Sequence, residues 1–197
     1  MEAFKRKIYS KCLEWKKESD GRTALLIEGA RRIGKSTIVE EFAKKEYESY
    51  IFIDFAFASQ QIKNLFYDMS DLNAFFRLLQ FYTKKELIER KSLIIFDEVQ
   101  KFPLARQAIK ILVKDHRYDY IETGSLISIK ENVKDILIPS EERKIQMYPM
   151  DYEEFCWAIG QTNSFEIGRT IWQEKKSLGD DVNRDLMKKF RLYMIVG

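Results

Sequence analysis

The chain has 197 residues, of which 45% are hydrophobic and 14% aromatic, a composition typical of a folded globular protein. Its net charge of +3 is only mildly basic, so charge alone does not indicate nucleic-acid binding. Two cysteines without a C-x-x-C pair exclude a disulfide framework and a cysteine-rich zinc site. Without a signal sequence or an apolar run of transmembrane length, we expect a cytoplasmic protein that forms one domain over residues 1–197 and does not bind membranes.

The first residues predict a helix, a strand and a second helix. Phe4, Ile8, Cys12 and Trp15 recur at helical spacing, which predicts an amphipathic helix over 3–17. The apolar run ALLI at 24–27 then predicts a buried strand, and the segment after residue 34 has helical periodicity. A strand, a short loop and a helix therefore follow one another directly.

The loop between that strand and helix reads GARRIGKS over residues 29–36 and fits G-x-x-x-x-G-K-[ST], the Walker A phosphate-binding loop. Glycines at both ends allow the backbone N–H groups to turn inward around a phosphate. Lys35 is expected to reach the β- and γ-phosphates of ATP, and the Ser36 hydroxyl to ligate Mg²⁺. The predicted nucleotide-binding residues are Gly29, Ala30, Arg31, Arg32, Ile33, Gly34, Lys35, Ser36 and Thr37.

A second strand is predicted at 50–55, followed by helices at 60–68 and 71–82 with helical periodicity extending over 84–90. The run SLIIFDE at 92–98 then resembles a Walker B strand, which ends in acidic residues at the ligand-binding edge of a parallel sheet. We expect Asp97 to support Mg²⁺ and Glu98 to polarise the attacking water. The plainer alternative is that both acids merely begin a loop.

Pro103 opens a predicted helix over 104–114, and a strand follows at 118–123. Thr123 and Ser125 come at the end of this strand. Each would either sense the γ-phosphate or belong to a turn in which Ser125 caps the next helix, and the residues alone leave both readings open.

The remaining pattern predicts a fifth strand over 143–148, a capped helix that begins at Asp151, and helices over 164–177 and 181–195. The final residues form an apolar run without a charged tail. From this run we expect the chain to be truncated, with a further segment after residue 197.

The segments GARRIGKST, LIIFDEVQ, ETGSLIS and YPMDYEEFCWA, taken in this order, resemble a prokaryotic branch of the AAA-family ATPases, close to archaeal-type and STAND-like P-loop proteins. The resemblance covers most of residues 20–160. It implies an α/β P-loop NTPase fold, a three-layer sandwich with a parallel sheet in the order 5-1-4-3-2 and helices on both faces. It also implies a single AAA-type ATPase domain with a core at about 20–160 and a helical segment at about 161–197.

The same resemblance implies a role for individual residues. Lys35 and Ser36 would bind phosphate and Mg²⁺, Asp97 would support the metal, and Glu98 would be the general base. Thr123 or Ser125 would be the first sensor. Arg143 is a candidate arginine finger acting on a neighbouring subunit of a homo-oligomer, whereas the plainer alternative is a solvated arginine at a strand start. Relatives of this kind carry a C-terminal domain, through which a DNA or protein partner would bind.

The leading interpretation is an Mg²⁺-dependent ATP hydrolase that couples hydrolysis to conformational change. The alternative is a slow nucleotide-gated switch or binding module with little turnover. A small-molecule kinase is disfavoured, because the acidic pair favours an activated water and the sequence lacks an arginine-rich lid.

Overall fold

A computed structural model describes residues 4–125, 141–162, 164–177 and 179–196. The chain divides into two compact units, one formed by Ile8–Met147 and the other by Met1–Lys7 together with Tyr148–Gly197. The larger unit contains both Walker segments. The assignment of the whole chain to a single domain stays a prediction.

The larger unit is built on a parallel five-stranded sheet. Its strands are β1 (Ala24–Gly29), β2 (Ser49–Asp54), β3 (Ser92–Asp97), β4 (Asp119–Ser125) and β5 (Glu142–Met147). They are ordered β2-β3-β4-β1-β5, which is the predicted order 5-1-4-3-2 counted from the other edge, so the predicted topology is confirmed. β1 and β3 place buried apolar residues on both faces, as expected for a sheet that is covered on both sides.

Helices cover both faces of this sheet, which confirms the predicted three-layer α/β sandwich. They are α1 (Lys7–Ser19), α2 (Lys35–Glu46), α3 (Gln60–Asn64), α4 (Leu72–Thr83) and α5 (Pro103–Asp115). Residues of α1 and α2 pack with Leu25 and Ile27 on one face. Residues of α4 and α5 pack with Leu26 and Phe96 on the other face. Alternate residues of β1 therefore contribute to different cores, as the two-residue period of a strand requires.

Two helix predictions need correction between β2 and β3. The helix predicted over 60–68 ends at Asn64, and residues 84–90 are not helical. Lys84 terminates α4 in the left-handed conformation, with φ of 53°. Two later backbone N–H groups are then bound by side chains: Leu87 N–H donates to Gln80 Oε1 at 2.8 Å and Ile88 N–H to Ser92 Oγ at 2.7 Å. These side-chain acceptors replace the helical hydrogen bonds that the apolar periodicity predicted.

The smaller unit contains α6 (Tyr152–Ala158), α7 (Ser164–Gln173) and α8 (Asp180–Val196). The predicted cap of α6 is confirmed, since Asp151 Oδ1 accepts from Glu154 N–H at 2.9 Å and Glu154 Oε2 accepts from Asp151 N–H at 3.1 Å. This reciprocal pair is a capping box, which satisfies two N–H groups at the helix start. Tyr152, Phe190 and Tyr193 pack edge to face against one another or at a tilt, and they join α6 to α8.

Cys12 and Cys156 are both buried free thiols. Burial raises the pKa of the Cys12 thiol to about 12, because an apolar environment disfavours the thiolate. Cys12 therefore contributes to packing between α1 and the sheet rather than to reactivity. None of the described helices is both long enough and apolar enough to cross a lipid bilayer.

Candidate nucleotide-binding site

The Walker A loop lies between the carboxyl end of β1 and the start of α2. Gly29 ends β1, and a Cβ at this position would lie 2.7 Å from Ile33 Cδ1 and closer still to the Met147 carbonyl oxygen. Gly34 has φ of 90°, a left-handed conformation that glycine adopts at little cost. The loop therefore needs glycine at one position for space and at the other for backbone geometry.

Lys35 begins α2 and is only 4% exposed. Its ammonium group donates to the carbonyl oxygens of Ala30 at 2.7 Å and Gly29 at 3.2 Å. Burial lowers the pKa of Lys35, and the carboxylates of Glu98 and then Asp97 oppose that effect. The ammonium is thus a partly dehydrated cation beside the loop, which an anionic ligand would stabilise.

Ser36 connects the two Walker segments. Its hydroxyl lies 2.8 and 2.9 Å from the two carboxylate oxygens of Asp97, the last residue of β3. Gly34 provides no side-chain cap for α2, so the N–H groups of the first turn are left for another acceptor. The helix start and the acidic strand end therefore face the same point at the edge of the sheet.

Thr123 forms hydrogen bonds with both Asp97 and Glu98. The Thr123 hydroxyl donates to Asp97 Oδ1 and accepts from the Glu98 N–H at 3.3 Å. Burial raises the pKa of Asp97, the hydroxyls of Thr123 and Ser36 oppose that rise, and the charges of Asp54 and Glu98 add to it. Thr123 is completely buried, so its hydrogen bonds fix the Asp97 carboxylate and the Glu98 backbone.

Glu98 follows the strand in a left-handed backbone conformation, with φ of 52° and ψ of 43°. A residue with a Cβ pays for this conformation, which occurs more often at functional sites than elsewhere. Its carboxylate accepts a hydrogen bond from the side-chain amide of Gln100. The sharp turn at Glu98 directs the chain away from β3 into a short 3₁₀ helix, Val99–Lys101.

The other two predicted site residues lie at opposite ends of the sheet. Ser125 is 4% exposed and pairs in register with Gly29, so it is next to the start of the Walker A loop. Arg143 pairs in register with Leu25 near the amino end of β1, and its guanidinium forms an ion pair with Glu18. Within one chain, Ser125 is therefore beside the loop and Arg143 is away from it. The part of the ETGSLIS motif after Ser125 lies outside the described residues.

Two polar residues at this edge, Asp54 and Gln100, were not predicted from the sequence. Asp54 ends β2 and lies opposite Asp97 in the strand register, where its charge helps to raise the pKa of Asp97. Gln100 is only 6% exposed and contacts Glu98. Asp54 could have been predicted, because it is an acid at the end of the second strand. Gln100 could not, because a glutamine two positions after Glu98 indicates no particular function.

These groups fit a magnesium nucleotide. Hydroxyl and carboxylate oxygens are the ligands that Mg²⁺ prefers, and Ser36 and Asp97 supply one of each at contact distance. Within the described ranges, no group of three or more histidine, cysteine, aspartate or glutamate side chains is arranged to hold a metal ion. Mg²⁺ usually binds through one or two protein ligands together with substrate phosphates and water, and the observed pair agrees with that mode.

A scan against protein-family models matches residues 21–156 to the family described as AAA domain. The matched range contains every predicted site residue, and it covers more than half of the chain. A search of curated proteins gave no match.

A search of solved structures matches several proteins at low sequence identity. The Walker-type ATPase PABY2304 of Pyrococcus abyssi is 18% identical, with 94% of this chain and 63% of that chain covered at a TM-score of 0.49. The ORC2 protein of Aeropyrum pernix, solved as ADPNP–ADP complexes, is 14% identical, with 79% and 49% covered and a TM-score of 0.47. The ORC1 protein of the same organism, solved with DNA, is 12% identical, with 83% and 50% covered and a TM-score of 0.49. The chain thus spans about half to two thirds of the length of these proteins.

Proposed function

The chain belongs to the AAA-domain family of P-loop ATPases, and on that premise we propose that it binds ATP with Mg²⁺, hydrolyses it and couples hydrolysis to a conformational change. Hydrolysis of this kind requires a phosphate cradle, a metal site and a positioned base for water. The larger unit has a candidate for each of these parts at one edge of one sheet.

The observation that carries the proposal is the contact between Ser36 and Asp97, at 2.8 and 2.9 Å. It brings a helix start that has no side-chain cap together with the acidic end of a buried strand. The hydroxyl contact offsets only part of the cost of keeping Asp97 ionised, since burial is the largest influence on its pKa and raises it. A metal ion bound between the two oxygens would offset that cost.

The proposed roles follow from the contacts. Lys35 would exchange its bonds to the loop carbonyls for phosphate oxygens, and Ser36 and Asp97 would hold Mg²⁺, which neutralises charge that develops on the phosphates. Glu98 would accept a proton from the attacking water. Thr123 is occupied by Asp97 and Glu98, which favours Ser125 as the side chain that responds to the γ-phosphate.

The proposal extends to the location and partners of the protein. We propose a cytoplasmic location, a homo-oligomer in which Arg143 completes a neighbouring site, and a DNA or protein partner bound through a further domain. ATPase assays with and without DNA, and at several protein concentrations, test the partner and the homo-oligomer.

The decisive experiment compares Glu98→Gln with Asp97→Asn. Glu98→Gln keeps the size of the side chain but loses the base, so we expect turnover to fall on the order of 10²-fold or more while ATP–Mg²⁺ still binds. Asp97→Asn should instead weaken the Mg²⁺ dependence of ATP binding, because an amide is a poorer ligand for a hard cation. Phosphate release and calorimetric titration measure the two effects.

Equal, very low turnover in wild type and Glu98→Gln, with and without DNA, would reject the hydrolase. Tight nucleotide retention in that case would favour the slow nucleotide-gated switch. Loss of ATP binding to the same extent in both variants would instead show that the acidic segment is structural and that the assigned roles are wrong.

A further inference from the structure

Gln100 is a buried polar side chain that the proposed reaction does not yet use. It lies in the short 3₁₀ helix after β3 and is only 6% exposed. Its Nε2 donates a hydrogen bond to Glu98 Oε2, across two positions of the chain. A buried amide of this kind is expected to have specific partners, and one of them here is the proposed base.

The backbone of Glu98 is fixed independently of its side chain. Its N–H group donates to the Thr123 hydroxyl at 3.3 Å, and its carbonyl oxygen accepts from the Lys101 N–H at 2.8 Å. Together these bonds hold the left-handed turn at φ of 52°. With the backbone held, the direction of the carboxylate depends on what the side chain contacts.

Glu98 lies at the same end of the sheet as the Walker A loop. It follows directly on Asp97, whose carboxylate oxygens lie 2.8 and 2.9 Å from the hydroxyl of Ser36 in the first turn of α2. The carboxylate that Gln100 contacts is thus one residue away from the contact between the two Walker segments. An orientation towards Lys35 is the one a base needs in order to reach water beside the γ-phosphate.

The chemistry of an amide suits this task. A carboxylate has about four acceptor sites, so one amide donor leaves sites for a water molecule. The amide is also neutral, so it directs the carboxylate without the strong charge pairing that an arginine or lysine would impose. A donor of this type restrains the rotamer of a base and leaves it able to accept a proton.

We propose that Gln100 is a positioning residue that holds the Glu98 carboxylate towards the γ-phosphate of bound ATP. This inference rests on the proposed ATPase function. It differs from a purely structural role for Gln100, which would affect folding and ATP binding as much as turnover.

The test uses Gln100→Met, which keeps the length of the side chain and removes the N–H donor. We expect kcat to fall about 10- to 100-fold, because a misdirected base loses most of its contribution, while ATP affinity changes less than about twofold. Gln100→Glu places an acceptor against the carboxylate and should lower kcat at least as much. Gln107→Met is the matched control on the exposed side of α5 and should behave like wild type. Thermal unfolding verifies that each variant is folded, and either Gln100 variant decides the question if the other does not fold.

The double variant Gln100→Met with Glu98→Gln gives the sharper result. If Gln100 acts through Glu98, removing it from the Glu98→Gln protein should change the residual rate less than about twofold. A fall in the residual rate as large as the fall that Gln100→Met causes in wild type would overturn the inference. An unchanged kcat in Gln100→Met, or a parallel fall in its kcat and ATP affinity, would overturn it as well. A rise in kcat would also overturn it, because Gln100 would then hold Glu98 in an unproductive position. An inactive wild type that still binds ATP would reject the proposed hydrolase and the inference with it, an outcome distinct from all of these.

Discussion

At the amino end of the sheet, charged side chains are paired with opposite charges, whereas at the carboxyl end acidic side chains lie beside one another. Arg106 binds both carboxylate oxygens of Glu142 at the start of β5, at 3.0 and 2.9 Å, and both side chains are almost fully buried. Arg90 binds Asp119 at the start of β4, with Nη1 and Oδ1 3.0 Å apart. These charges have partners within the chain.

At the carboxyl end, Asp54, Asp97 and Glu98 come together, and the mutual influence of their charges raises the pKa of Asp97 beyond the effect of burial. Lys35 is a nearby cation, and burial lowers its pKa. The carboxylates repel one another, and the Lys35 ammonium is partly dehydrated. An added cation would reduce the repulsion among the carboxylates, and an added polyanion would stabilise the ammonium. Folding thus pairs these charges at the amino end of the sheet, whereas at the carboxyl end the proposed magnesium nucleotide would offset them.

The largest expected effect comes from removing Lys35. Lys35→Ala should weaken ATP binding by roughly 1.5–3 kcal/mol, about 10- to 150-fold, because it deletes a charge-assisted contact to phosphate. Calorimetric titration with a non-hydrolysable ATP analogue measures the change. The fold should survive, since the ammonium is costly to bury.

Lys91→Ala is the matched control from the amino end, because Lys91 is exposed and forms an ion pair with Glu48 at 2.8 Å. It should bind the analogue like wild type. Equal affinity in Lys35→Ala and Lys91→Ala, with unchanged circular dichroism spectra, would remove Lys35 from the site.

Much of this contrast could be predicted from the sequence. The spacing of GARRIGKS and the apolar run that ends in Asp97-Glu98 identify the carboxyl end, because loop geometry and metal chemistry demand those residue types. The strand order came from the family resemblance and is confirmed. Residues 84–90 were assigned wrongly, since apolar periodicity does not reveal that Gln80 and Ser92 bind the backbone of that segment.

Other features depend on contacts between distant residues, which periodicity does not encode. The ion pair of Arg106 and Glu142 joins α5 to β5 across 36 positions. Glu122 is an acid within a buried strand, between Ile121 and Thr123, and its charge state depends on neighbours from other elements. The hydrogen bond from Thr123 to Asp97 joins residues 26 positions apart on neighbouring strands, so it could not be predicted from local spacing.

Glu122 provides a second prediction, because it lies between the two ends of the sheet. It is completely buried in β4, and burial raises its pKa well above the usual value of 4.5; the charge of Glu142 adds to the rise and Arg106 opposes it. The folded state therefore holds a proton that the unfolded state releases. The stabilising contribution is complete below the usual carboxyl range and is lost as pH rises towards the folded-state pKa.

Glu122→Gln should abolish this pH dependence, since its amide is neutral throughout. The free energy of unfolding of wild type should fall relative to that of the variant by about 1.4 kcal/mol per pH unit above the usual carboxyl range, until Glu122 ionises in the folded state. Urea unfolding at a series of pH values measures the difference. Glu48→Gln, at an exposed glutamate, is the control. Parallel curves for wild type and Glu122→Gln would contradict a retained proton.

The smallest expected effect on stability is at Arg143. Its substitution tests whether a charge at the amino end of the sheet also affects ATP turnover. Its side chain is 40% exposed and its partner Glu18 is 54% exposed, so the ion pair is a surface pair and Arg143→Ala should cost less than about 1 kcal/mol of unfolding free energy. If Arg143 acts only at the amino end of its own sheet, ATP turnover should not change. If it completes the site of a neighbouring subunit, Arg143→Ala should lower turnover, leave ATP binding intact, and abolish a rise in activity per protomer with protein concentration.

Glu18→Ala distinguishes these cases, because it breaks the same ion pair and leaves the arginine in place. If Arg143 is an arginine finger for a neighbouring protomer, that function should persist in Glu18→Ala. Without the Glu18 carboxylate, the Arg143 guanidinium should be freer to reach the second protomer. Turnover should therefore fall in Arg143→Ala and stay level or rise in Glu18→Ala. Turnover that is independent of protein concentration and equal in wild type and both variants would limit Arg143 to its surface pair, and the charges at the amino end would then serve the fold alone.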